Sequence, residues 1–183
     1  DNSGLIALSG AAFGDVGQLL LAGKMALAEL RARSWAALFP DAFYIEVQRP
    51  SRAAGQPGNV TEESLVAASV KLAVALGLPI VATHPIQFIA ADDAKAHDAR
   101  VCIAEGYVLS DKRRPRAFSD QQYFKTQTEM LELFSDLPEA IENSVEIARR
   151  CNLSIVLGKS QLPAFPTPEG VSLEAFLGTE SHA

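Results

Sequence analysis

"AFYIEVQ", residues 42–48, is a short run of aromatic and β-branched side chains, with Glu46 and Gln48 its only polar residues. A run of this length and content reads as a β-strand. Strands apolar at nearly every position are those of parallel sheets covered by helices. Working outward, "GLIALSG" (4–10) and "LPIVATH" (78–84) have the same character and are bounded by Gly, Pro or Asp. Between the three lie helical patterns. Residues 15–39 predict two helices hinged near Gly23. Residues 61–77 predict one, with Leu65, Ala68, Leu72, Ala75 and Leu76 on one face and Gly77 as its stop. Strand alternating with helix is the order of parallel βαβ units, hence an α/β fold.

After Ala90 the pattern turns helical. "DDAKAHDARVCIAEG" predicts a helix capped by Asp92 or Asp93, and "SDLPEAIENSVEIARRC" another, with Ile141, Val145 and Ala148 at helical spacing. Pro163, Pro166 and Pro168 then punctuate the chain. The expected organisation is one domain over 1–162 and a proline-rich linker over 163–183.

The totals narrow the function classes. A chain of 183 residues suits one domain with a sizeable core. Its net charge of −6 argues against autonomous nucleic-acid binding. No apolar stretch reaches the roughly 18–20 residues of a membrane helix. Cys102 and Cys151 stand far apart in predicted helices, so the expectation is two reduced, buried thiols in a cytoplasmic protein. "DNSGLIALSG" has neither a starting methionine nor a basic leader, and is expected to open inside a larger protein.

Candidate chemistry gathers at the strand ends. Glu46 and Gln48 share a strand face, at the C-terminal edge where α/β folds build sites. His84 ends the third strand at the same edge, where it could converge with Glu46. Glu46 suits a ligand or base as well as it suits a hydrogen-bonded structural carboxylate. Three histidines in all are too few for a multinuclear metal centre. His97 reads as a packed or capping histidine. "SGAAFGDVG" (9–17) could make an anion nest, but without a lysine tight strand-to-helix packing is the preferred reading. "DKRRPR" (111–116) places Lys112, Arg113, Arg114 and Arg116 in a local basic patch, suited to a salt-bridged loop or to an acidic or phosphate-bearing partner.

Taken in order, "GLIALSGAAFGDVGQLLLAG", "FYIEVQR", "LGLPIVATHPIQFI", "DAKAHDARVCIAEG", "DKRRPR", "EMLELFSDLPEAIENSVEIARRCN" and "LPAFPTP" resemble a known family. It is the polymerase-and-histidinol-phosphatase (PHP) domain of bacterial replicative DNA polymerase III alpha subunits. The resemblance implies an incomplete, distorted (β/α)7 barrel with mainly parallel strands and a helical C-terminal part. It implies template-directed DNA synthesis by the parent protein, with Mg2+ on palm aspartates outside this chain. The segment itself would be an inactive scaffold that docks the proofreading exonuclease subunit and meets DNA only through its parent. Active members of the family hold a metal cluster. Its ligands include a histidine pair ahead of this segment, a histidine where Arg49–Pro50 stand, and an Asp-x-His aligned with Pro85-Ile86-Gln87. Glu46 matches a retained ligand, and His84 stands where Asn is common. The implied site of Glu46, Gln48, His84 and Gln87 is thus a vestige, with no metal or cofactor of its own. A chain cut inside a barrel would also leave "GLIALSG" with an open edge, so a homodimer is expected. Two other readings compete. One is a metal-dependent phosphoesterase or 3′–5′ exonuclease; the other is an α/β interaction module unrelated to replication.

Overall fold

In the computed structural model, residues 2–51, 60–158 and 165–182 are described. The chain divides into two compact units, Asp1–Cys151 and Asn152–Ala183. The first unit is α/β. Strands β1 (Ala7–Leu8), β2 (Phe43–Val47) and β3 (Ile80–Ala82) form an open parallel sheet in the order β1-β2-β3. Ala7 pairs with Phe43, and Glu46 with Val81. Both outer strands are much shorter than the seven-residue runs that announce them, and β1 pairs through only two residues. The described strands thus form an open sheet, not a closed barrel.

Helices α1 (Asp15–Leu21) and α2 (Met25–Leu38) follow β1, and the predicted hinge is real, with Gly23 at φ +69°. Helix α3 (Val60–Leu76) joins β2 to β3. Its buried residues are Val66, Ser69, Leu72 and Ala73, whereas Ala75 is exposed. The inward stripe is therefore rotated by about one position from the predicted one, because Val66 packs toward β2 with Val47 and Ala82. One core cluster joins Val16 and Leu20 of α1, Ala28 and Ala32 of α2, Phe43 and Ile45 of β2, and Leu72 of α3. All five residues of β2 are buried, as expected of a central strand.

The approach of α1 to the first loop explains its glycines. A Cβ on Gly14 would lie 1.7 Å from the Ser9 carbonyl oxygen, and one on Gly17 1.7 Å from that of Ala11. "SGAAFGDVG" is therefore a close-packing device, as the sequence suggested.

Beyond β3, a 3-10 turn (Ala91–Asp93) leads into α4 (Ala94–Glu105). Asp93 accepts the Ala90 N–H at 2.9 Å. Helix α5 (Gln127–Leu133), unforeseen from the sequence, begins at a capping box: Glu129 N–H donates to Thr126 Oγ1 at 3.3 Å, and Thr126 N–H donates back to Glu129 at 2.7 Å. Helix α6 (Pro138–Arg150) packs on β3, where Asn143 donates to the Ile80 carbonyl at 2.7 Å. Cys102 is buried, but Cys151 is exposed, contrary to expectation. Cys151 is the C-cap of α6, where its backbone becomes extended as the chain leaves the helix.

In the second unit, α7 (Leu173–Ser181) occupies part of the stretch read as linker, capped by Ser172, which accepts the Ala175 N–H at 3.2 Å. The expected boundary at 162/163 lies outside the described residues. No described helix is long and apolar enough to cross a membrane.

Candidate site at the strand ends

Three strand ends meet at Glu46. Its Oε2 accepts the Gly10 N–H at 3.0 Å, just past β1. Its Oε1 accepts Gln48 Nε2–H at 3.0 Å and the Thr83 hydroxyl, just past β3. Gln48 also donates to Thr83 Oγ1 at 2.8 Å, and Ser9 Oγ accepts the Glu46 N–H at 2.8 Å. The carboxylate is 8% exposed as a residue and is held entirely by neutral donors. Ser9, Gly10 and Thr83 were missed from the sequence. The signal was the small polar residue that ends each apolar run.

Glu46 and Gln48 are brought together as the pattern suggested, but His84 turns elsewhere. Its Nε2–H donates to the Gln121 carbonyl at 2.9 Å, so the ring proton sits on Nε2 and Nδ1 is a buried acceptor without a partner. Burial lowers the His84 pKa from its ordinary value, against the Gln121 hydrogen bond that raises it, and nearby Lys125 adds to the lowering. Gln87 enters through its backbone, donating its N–H to the Gln122 carbonyl at 2.8 Å. Gln122 Nε2 returns to the Pro85 carbonyl at 3.0 Å, so "HPIQF" is clasped by residues 121–123.

The largest side chain at this edge is Arg49, 2% exposed. Its guanidinium donates to Asp136 through both Nη atoms at 2.7 Å, to Glu63 at 2.9 Å and to the Leu133 carbonyl at 2.8 Å. It also lies 5.0 Å from the centre of the Phe134 ring. One cation thus ties the end of β2 to α3 and to the α5–α6 connection.

A cavity of about 300 Å3 opens beside Glu46, lined also by Phe13, Gln48, Pro50, Glu62 and Leu65. Burial pushes the Glu62 carboxyl up, and only its Oε2 has a partner, the Ser51 N–H at 3.1 Å. The donor set does not fit a metal cluster. Glu46 already accepts three hydrogen bonds, His84 offers only a buried Nδ1, and no group of three or more His, Cys, Asp or Glu comes together among the described residues.

The four cations of the basic run sit in different settings. Arg113 is 92% exposed and pairs with Asp111 at 3.2 Å. Arg114 is buried and grips Asp98 of α4 through two bonds of 2.6 and 2.5 Å. Lys112 and Arg116 are exposed.

No family model matches the chain. Curated relatives align along nearly all of it. It is 58% identical over 177 residues, 97% of its length, to the DNA polymerase III subunit alpha of Neisseria meningitidis serogroup A. The identity is 52% over 174 residues to the Pseudomonas aeruginosa subunit, and 47% over 176 to that of Escherichia coli K12. In each case the match spans only 14 to 15% of the relative's length. The chain is thus homologous, over nearly all of its length, to one segment of bacterial DNA polymerase III alpha subunits.

Proposed function

We propose that the chain is a segment of a replicative DNA polymerase III alpha subunit, acting there as a non-catalytic scaffold of PHP type. The observation that carries the assignment to that subunit is the 58% identity over 97% of the chain; the scaffold reading rests on Glu46 being held in hydrogen bonds between strand ends. The strand–helix–strand order is that of (β/α) units and suits part of a distorted (β/α)7 barrel, with residues 1–162 as the partial domain and 163–183 leading onward. The parent would carry out template-directed DNA synthesis in the cytoplasm, using Mg2+ on residues outside this chain. Glu46, Gln48, His84 and Gln87 are read as the remnant of a metal site. Glu46 now spends its charge joining three strand ends, and His84 and Gln87 hold the 121–123 segment. The outward-facing Lys112 and Arg113 suit an acidic surface of another replicase subunit, the proofreading exonuclease being the expected one.

The test is a chimaera in which this chain replaces the matching segment of the Neisseria meningitidis subunit. Primer extension is expected within about twofold of the parent. Glu46→Gln combined with His84→Gln should leave extension at the same level where the fold is retained. Turnover of a chromogenic phosphate ester by the chain, abolished by the same double substitution, would establish the phosphoesterase reading instead. So would stoichiometric zinc or manganese retained after dialysis.

A further inference from the structure

The second unit, Asn152–Ala183, leaves its apolar side chains uncovered. Among its described residues none is buried, and only Thr167, Phe176 and Gly178 are half-buried. Leu153, Ile155, Val156 and Leu157 are each between 72% and 85% exposed. A run of aliphatic and β-branched residues suits a covered strand, yet residues 152–157 form neither strand nor helix. A unit of this size lies below the roughly 40 residues at which a chain can supply its own core.

Helix α7 adds a second apolar face. Leu173, Phe176 and Leu177 stand at i, i+3 and i+4 and so share one side of the helix. Phe176 leans on Phe165, with ring centres 5.8 Å apart, while Leu173 and Leu177 stay exposed. The helix has nine residues, and in water a helix shorter than about 12–15 is marginal without packing. Its surround is acidic. Glu169, Glu174 and Glu180 are exposed, and Lys159 is the one lysine or arginine in the sequence of 152–183. Glu180 lies one turn beyond Phe176 and Leu177, at the end of the apolar stripe.

We propose that the second unit is a docking module, whose two apolar stretches seat on an apolar surface with a basic rim, carried by the same polymerase subunit outside this chain. The proposal rests on the reading of the chain as a segment of an alpha subunit. Two observations choose this occupant. The matches span only 14 to 15% of the relatives' length, so on that reading most of the subunit is tethered to this unit. The face also offers only a handful of side chains, against the roughly 20–30 residues a side of a stable interface between separate chains. That disfavours a second copy. A tethered surface needs no such area, because linkage holds it at an effective concentration in about the millimolar range. The glutamates set the sign of the rim.

The test compares amide hydrogen exchange of 152–157 and α7 in the 183-residue chain and in the Neisseria meningitidis chimaera. Exchange at least about tenfold slower in the chimaera is expected. Ile155→Thr keeps the β-branch and Leu177→Gln keeps a good helix former, and each should return its own stretch toward the rate of the chain alone. Glu180→Lys favours the helix through its dipole but opposes a basic rim, so it should lower the protection of α7 in the chimaera. Equal exchange in chain and chimaera overturns the proposal, as does protection that survives both Ile155→Thr and Leu177→Gln. Protection already present in the 183-residue chain overturns it too: growth with concentration assigns the face to a second copy, and independence of concentration assigns it to the chain's own first unit. Unchanged protection in Glu180→Lys overturns the basic rim. Primer extension is recorded on the same samples. An active chimaera without protection sinks the docking alone, whereas an inactive one sinks the segment reading.

Discussion

Arg49 holds Asp136 across 87 positions of sequence by two parallel bonds of 2.7 Å. Glu63 and the Leu133 carbonyl share the same guanidinium. Removing it would leave two carboxylates facing one another and strand a buried carbonyl. Arg49→Ala is therefore expected to cost about 3–5 kcal/mol. Arg49→Lys should recover part of this, since an ammonium keeps the charge but loses the planar fork. Urea unfolding of the three proteins measures it, and a loss below about 1 kcal/mol for Arg49→Ala would show that the network is idle.

Tyr123 donates its hydroxyl to Glu129, and the two titrations move apart. The hydrogen bond from Tyr123, then those from Thr126, hold the Glu129 carboxyl down to about 2. The same bond, with burial, pushes Tyr123 up to about 12. A depressed carboxyl stabilises the fold above its unfolded pKa of about 4.3 and loses that contribution as pH falls toward 2. A raised phenol stabilises below about 10 and loses its contribution as pH rises toward 12. Wild type and Tyr123→Phe should therefore differ most between about pH 5 and 9 and converge outside that window. A difference in unfolding midpoint that does not change with pH would exclude the coupling.

Two glycine substitutions should have opposite effects. Gly17→Ala in α1 drives a Cβ to 1.7 Å from the Ala11 oxygen, so a loss of about 2–3 kcal/mol is expected in place of the usual helix gain. Gly178→Ala in α7 meets nothing within 4 Å and should strengthen that helix by up to about 1 kcal/mol. Amide exchange of the residues around each site separates the local effects.

Neighbours in sequence, Arg113 and Arg114 should behave differently. Arg113→Ala removes an exposed pair and should leave the unfolding midpoint unchanged within error. Arg114→Ala abandons Asp98 on α4 and should lower the midpoint clearly. Equal effects would mean that the run acts as one surface patch after all.

The elements that could be read in advance are those whose signal is local. β2, the α1–α2 hinge and α6 each carry their pattern within a few residues. The strand-end site was half legible: Glu46 and Gln48 lie two apart on one face, while Ser9 and Thr83 reach them only through sheet pairing 37 and 35 positions away. The role of Arg49 was not legible, since nothing near it in sequence announces Glu63 or Asp136. Helix α5 is seven residues long, too short for periodicity, although Thr126 and Glu129 spelled out its cap. α7 was hidden by the prolines before it.

Every strand pairing in the sheet passes through β2, and each joins segments about 36 residues apart, as Ala7 with Phe43 and Ile45 with Ile80. Neither outer strand can pair until the central one is in place. Each closure must spend chain entropy before its few ladder bonds form. Parallel pairings of this separation give slow folding, and until they close β2 exposes an apolar ribbon to other chains. During synthesis β1 cannot meet β2 until α1 and α2 have emerged, and the packing of these two helices against each other is available before residues 43–47 arrive.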